Sequence, residues 1–419
     1  MDLSETARYK PSINIAQAPR ITAPLLYMGT GYGFFILAAI GVIVLGRPIA
    51  LGRAGDPHVI MAIHFFTLGF LSMTAQGILT QWIPVVFDVP PLSFRRTVFH
   101  FLVYLTGVIV FAWGLMFDDW RVLALSGGIL AVAIVLWSMA LWGQMTRSEK
   151  VQVSVYRGIQ GAILGFNATW VLGLFMALSF LGWWPEYQVL RVHIATALGS
   201  WLGLLVLSVQ LKLNPMFSMS KSERTRSVIP IVLGGVGTLM VWASLLTSSL
   251  VMRFGAVVWM GAVLGSIAQL VRTVRRGKAF DWVFVGVGTA WVLLLVSSVL
   301  EIWLNPLAVI MAFWGFLILI FSYQSRIIPF MVALVVSNKL PGPAFKAFFL
   351  AQMMYSPRQP IVVAVLGVTG ALLSLIGWDG HYSAMVSASG VVALGLLATQ
   401  VINIVVAIGH ASKAREAKA

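Results

Sequence analysis

Apolar residues fill this chain in runs of about twenty, separated by short polar or charged stretches rather than alternating with them. Each run is long enough to cross the roughly 30 Å hydrocarbon core of a bilayer as a helix. In lipid only helices and closed barrels satisfy their own backbone, and unbroken apolarity selects helices. The pattern predicts an all-α polytopic membrane protein with about twelve transmembrane helices. The first six spans read as Ile21–Leu45, Pro57–Val85, Thr97–Met116, Trp120–Met145, Tyr156–Trp183 and Val189–Leu213. The second six read as Val228–Leu250, Phe254–Thr273, Phe280–Trp303, Pro306–Val336, Pro360–Trp378 and Ala384–His410. A polar segment, 1–20, precedes them and a short tail, 411–419, comes after.

One stretch recurs. IHFFTLGFLSMTAQGILTQWIPVVF, 63–87, carries a histidine, a Leu-Gly pair, a glutamine and a proline in that order. The plan returns in VHIATALGSWLGLLVLSVQLKLNPMF, 192–217, and His64 to Gln81 and His193 to Gln210 are both seventeen residues apart. A third copy, 311–331, keeps the ending as Gln324-Ser-Arg326-Ile-Ile-Pro329 but lacks the histidine, with Met311 near the missing position. These copies fall on the second, sixth and tenth spans, so the spans divide into three four-helix sets, roughly 21–145, 156–273 and 280–410. Glycine pairs such as Gly261 and Gly265 suit close helix approach.

Charge orients this array. With 59% hydrophobic and 10% charged residues, the net charge of +15 is better read as topology than as nucleic-acid affinity. Loops on the side of the termini hold 23 of the 28 basic residues; the opposite side holds Arg47, Arg53, Arg121, Arg191 and Arg253. Basic loops stay inside, which places both termini in the cytoplasm and His64 and His193 in the outer third of the bilayer. The N-terminal segment has no apolar core of a cleaved signal. The loop 337–359 holds a half-apolar piece, Phe345–Tyr355, expected to lie along the interface.

Candidate chemistry is sparse. The chain has no cysteine, which excludes disulfides, thiolate metal sites, iron–sulfur clusters and covalent haem attachment. Glu301 is the one carboxylate inside a predicted span, so no acidic relay crosses the bilayer. Neutral imidazole tolerates low dielectric and is a common metal and haem ligand. His64 and His193 at matching depth therefore form a candidate metal or cofactor site. Gly69 and Gly199 come soon after them and would leave room beside the helix for a flat macrocycle. Thr67 and Thr196, one turn on, could orient the imidazoles. The bland alternative is that each ring hydrogen-bonds a neighbouring carbonyl or hydroxyl. His58, His381 and His410 fall at interfaces, and His100 lies at another depth beside Arg95 and Arg96.

Twelve spans, three four-helix sets and histidines on helices two and six resemble subunit I of the haem–copper oxidase superfamily. The Leu-Gly…Gln…Pro runs and Arg326-Ile-Ile-Pro329-Phe-Met resemble small oxidase-like and NnrS-like membrane haem proteins linked to nitric oxide. The resemblance implies an oxidase subunit I-like fold in a prokaryotic cytoplasmic membrane. It implies b-type haem on His64, copper or a second centre at His193, and a cytochrome or other redox partner. The chain lacks the further histidines that an oxygen-reducing copper site requires. The expected function is thus a membrane haem protein that transfers electrons or binds a diatomic gas such as nitric oxide, at most a component of an oxidoreductase. Met311 is a candidate second ligand should the histidines bind separate haems. The rivals are a cofactor-free twelve-helix transporter lined by Gln81, Gln210 and Gln324, and a structural subunit of a respiratory complex.

Overall fold

The computed structural model describes residues 17–149, 153–182, 189–219, 227–278, 280–337, 351 and 354–416. These form an all-α polytopic array with no strand among the described residues. We number its helices α1 Thr22–Val44, α2 Pro57–Phe87, α3 Phe94–Met116, α4 Trp120–Met145, α5 Val153–Ser179 and α6 Val189–Phe217. Next come α7 Ile229–Ala243, α8 Ser249–Arg276, α9 Val283–Ile302, α10 Leu307–Ser337, α11 Gln359–Asp379 and α12 Ser383–Glu416. Eleven are long and apolar enough to cross a membrane. The shorter one is α7, with 15 residues, or about 22 Å at 1.5 Å per residue. It stops short of the Leu250 boundary that its apolar run predicts. The hydroxyl-rich run Ser244–Ser249 ends it in turns, and α8 starts at Ser249 instead. At the C-terminus α12 continues beyond the expected boundary at His410. Most of the N-terminal segment and of Phe345–Tyr355 lies outside the described residues.

Short connections set the order of packing. Asp56 caps α2 by accepting from the backbone N–H groups of His58 and Val59, with Pro57 in the first turn. Ser93 caps α3 and Asp119 caps α4 in the same way. Such tight turns make sequential helices antiparallel neighbours. The same pattern then repeats in each set of four: first helix on second, third on fourth, and fourth on the first of the next set. The last set closes on the first through α12 and α1, so the packing is a closed ring.

Within this ring α2, α6 and α10 are the interior helices. Between 50 and 72% of their most apolar stretch is buried, against 33–44% in the other long helices. Each carries a proline near its end on the side of the termini, Pro84, Pro215 and Pro329. In lipid a proline's freed carbonyl needs another partner, and burial among neighbouring helices supplies it. Two of the three interior helices also share a feature with no counterpart in α10. Residues Phe65–Ser72 of α2 and Thr196–Gly203 of α6 are π-helical, and both segments begin within three residues of the histidine. Widened turns of this kind are uncommon and mark places where a helix is re-aimed.

Candidate functional site

His64 and His193 come together. Their ring centres are 6.3 Å apart with planes inclined by 30°. His64 ends the α-helical turn before the first π segment, and its Nδ1 lies 2.8 Å from the Ile60 carbonyl. His193 ends the first turns of α6, and its Nδ1 lies 3.0 Å from the Thr169 carbonyl on α5. A carbonyl only accepts, so each Nδ1 carries the proton and donates it. That fixes the tautomer and leaves each Nε2 lone pair unclaimed by these bonds. Both rings are only partly enclosed by protein, although they lie between interior helices.

The rings are seated by other helices. Phe111 of α3 packs against His64 with centres 4.7 Å apart. Gly173 of α5 lies against His193, where a Cβ would stand 3.1 Å from Cε1. The two π segments are tied directly: Trp201 Nε1 donates to Ser72 Oγ at 3.1 Å. Tyr104 of α3 donates to the Leu68 carbonyl inside the first segment at 3.1 Å. Trp201 itself stacks on Phe166 with centres 4.3 Å apart. In the first widened turn the Leu68 carbonyl thus has a partner on another helix.

Several expected roles are redistributed. Thr67 and Thr196 do not hold the imidazoles; each hydroxyl donates back to its own helix, to Ile63 and Val192 carbonyls at 3.1 and 2.6 Å. The backbone carbonyls of Ile60 and Thr169 take that role. The space beside Gly69 is taken by the Phe34 ring, and that beside Gly199 by the Trp259 indole. These two glycines therefore receive packed aromatic side chains. The glycine that makes room at the site is Gly173, which no sequence pattern singles out because it sits on a different span from either histidine. His58 lies near Asp56 in a turn, His410 is exposed, and His381 Nδ1 bonds the Ala50 carbonyl at 2.8 Å. His100 is buried on α3, and Met311 is buried on α10.

A second polar centre has no signal in the sequence. Asp281, 4% exposed, precedes α9 and takes a two-pronged bond from Arg326 of α10, with Nε to Oδ2 at 2.7 Å. Tyr355 donates to its other oxygen at 3.0 Å and lies under the guanidinium, 4.0 Å from ring centre to Cζ. Burial, with the Asp281 charge next, pushes the Tyr355 phenol up, so it stays a donor. Charge counting alone groups Arg326 with the loops. It lies within α10 and ties α9, α10 and the segment before α11 together on the side of the termini.

What can the imidazole pair hold? A metal about 2 Å from one nitrogen of each of two opposed imidazoles sets the ring centres roughly 6 Å apart. The observed separation of 6.3 Å matches that spacing. No group of three or more His, Cys, Asp or Glu side chains able to hold a metal occurs among the described residues. A bare copper or zinc ion would want three or four protein ligands, whereas haem brings four nitrogens and asks only for axial ones. The donor set therefore suits haem better than a bare ion. No protein-family model matches the chain, and comparison with curated proteins finds no relative.

Proposed function

We propose that this polytopic membrane protein is a haem-binding electron-transfer protein, in which His64 and His193 would together hold one b-type haem. The observation that carries this reading is the pair of carbonyl-anchored imidazoles with centres 6.3 Å apart. When bound, the haem would supply one-electron redox chemistry at its iron. The protein's share is positional. Ile60 and Thr169 hold Nδ1–H on the far side of each ring, which fixes the orientation and raises the basicity of Nε2. Phe111 and Gly173 set the tilt of the two rings. With both imidazoles engaged in holding it, the group would serve electron transfer rather than binding of nitric oxide or another diatomic gas. A redox partner would dock at the membrane face opposite the termini, the nearer face to both histidines.

Reduced-minus-oxidised spectra of purified wild type, His64→Ala and His193→Ala test the assignment. We expect a six-coordinate low-spin spectrum in the wild type, and the same band lost or turned high-spin in either variant. Two separate sites would instead leave half the signal in each variant. A colourless wild type made with ample haem overturns the proposal, and the cofactor-free transporter then takes its place.

A further inference from the structure

The half of the bundle away from the termini contains a cavity of about 410 Å³. Its wall comes from α1, α2, α6, α9, α10, α11 and α12 and is largely hydrocarbon and aromatic, with Phe35, Phe66, Phe313 and Trp314 among its side chains. Neither His64 nor His193 lines it, so it is distinct from the imidazole pair. Ser374 and Ser389 in this wall donate to carbonyls of their own helices, those of Gly370 and Val386; the other three polar side chains of the lining are Arg191, Asn305 and Glu301.

Two of them are already engaged with the protein. Arg191 Nη1 donates to the Leu304 carbonyl at 3.2 Å, and Asn305 Oδ1 accepts from the Leu307 N–H at 2.9 Å. The Glu301 carboxyl, on the last turn of α9, has no hydrogen bond among the described residues. It also borders a second cavity of about 120 Å³, which shares Ile194, Glu301 and Val309 with the first. An ionisable side chain is costly in that setting and marks a functional position by default. An apolar chamber of a few hundred Å³ with a few polar groups is the usual form of a small-molecule site.

We propose that this cavity binds an uncharged amphiphile: a largely apolar molecule of about two fused rings, with a hydroxyl that donates to the Glu301 carboxylate. The charges at its edge argue for a neutral head. An anion would meet Glu301 and a cation would meet Arg191, both of which line the cavity. A carboxylate accepts hydrogen bonds and needs a donor, and a hydroxyl supplies one without bringing charge. The apolar wall recovers the transfer of the ring system out of water.

The probe is 2-naphthol, measured by its fluorescence in equilibrium dialysis against the full-length protein in detergent, with empty micelles as the blank. We expect saturable binding that is roughly tenfold or more weaker for Glu301→Leu, as for loss of a hydrogen bond to a charged group. The methyl ether, 2-methoxynaphthalene, should bind the wild type about as weakly as naphthol binds the variant, and should not distinguish the two proteins. Val309→Trp, which fills the junction of the cavities, should reduce binding of both probes. If Glu301→Leu does not fold, comparison of the phenol and its ether on the wild type decides the matter. Partition no greater than into empty micelles, or equal binding of phenol and ether to the wild type, overturns the proposal. Haem content and spectrum are read on the same samples, so failure here is separable from failure of the haem assignment.

Discussion

At the scale of single residues, this protein's polar interior divides into two kinds of side chain. His64, His193 and Asp281 have defined partners that fix their geometry. In contrast Gln76, Gln81, Gln210, Gln324, Gln400 and Asn403 each keep a buried side-chain atom with no partner among the described residues. All six lie in the half of their helices nearer the termini, while the apolar cavity lies in the other half. Buried amides of this kind ordinarily hold ordered water. The Asp281–Arg326 pair gives a sharp stability prediction. Asp281→Ala should cost about 3–5 kcal/mol, because it leaves a buried guanidinium without its carboxylate. Asp281→Leu combined with Arg326→Met should cost much less than either single change, since replacing both ions by apolar groups is often near neutral. Thermal unfolding of the single and double variants in detergent checks the order, and additive losses would count against a coupled pair.

At the scale of elements, the π segments decide where the histidines face. Removing one residue from a helix turns the part before it by about 100° relative to the part after it. Deletion of Phe66 should therefore swing His64 away from His193 while leaving most of α2 in place. The chain has no cysteine, so a double substitution of His64 and His193 by cysteine offers a clean readout. A short bifunctional thiol reagent should join the two positions in the full-length background and fail to do so after the deletion. Crosslinking that survives the deletion would show that the widened turn does not set the meeting of the two helices.

At the scale of the whole molecule, twelve helices in alternating directions put both ends of the chain on one side. The 23-to-5 split of basic residues predicts that this side is the cytoplasm. Cysteine labelling after Ala419 and near Gly380 in intact cells should find only the Gly380 position reachable from outside. Access at Gly380 from the cytoplasm would reverse the orientation and move both proposed sites to the inner half of the membrane. In the closed ring the order of packing repeats every four helices, and the interior helices α2, α6 and α10 hold the internal prolines.

The sequence by itself determined the class and the number of spans to within the short α7, and it set the expectation that the second, sixth and tenth helices correspond. It could do so because a membrane helix satisfies its backbone locally, and its length and apolarity are written in consecutive residues. It also singled out His64 and His193, because ionisable groups are rare enough in such spans to stand out. Only the tertiary structure decided that these imidazoles meet, that Ile60 and Thr169 orient them, and that Gly173 rather than Gly69 or Gly199 makes room. Those facts depend on the rotation of α2 and α6 through their π segments and on neighbours brought in from other helices, which no local pattern records. The Asp281–Arg326 pair is invisible in sequence for the same reason: the two charges stand on different spans, and only packing shows that they are buried against each other.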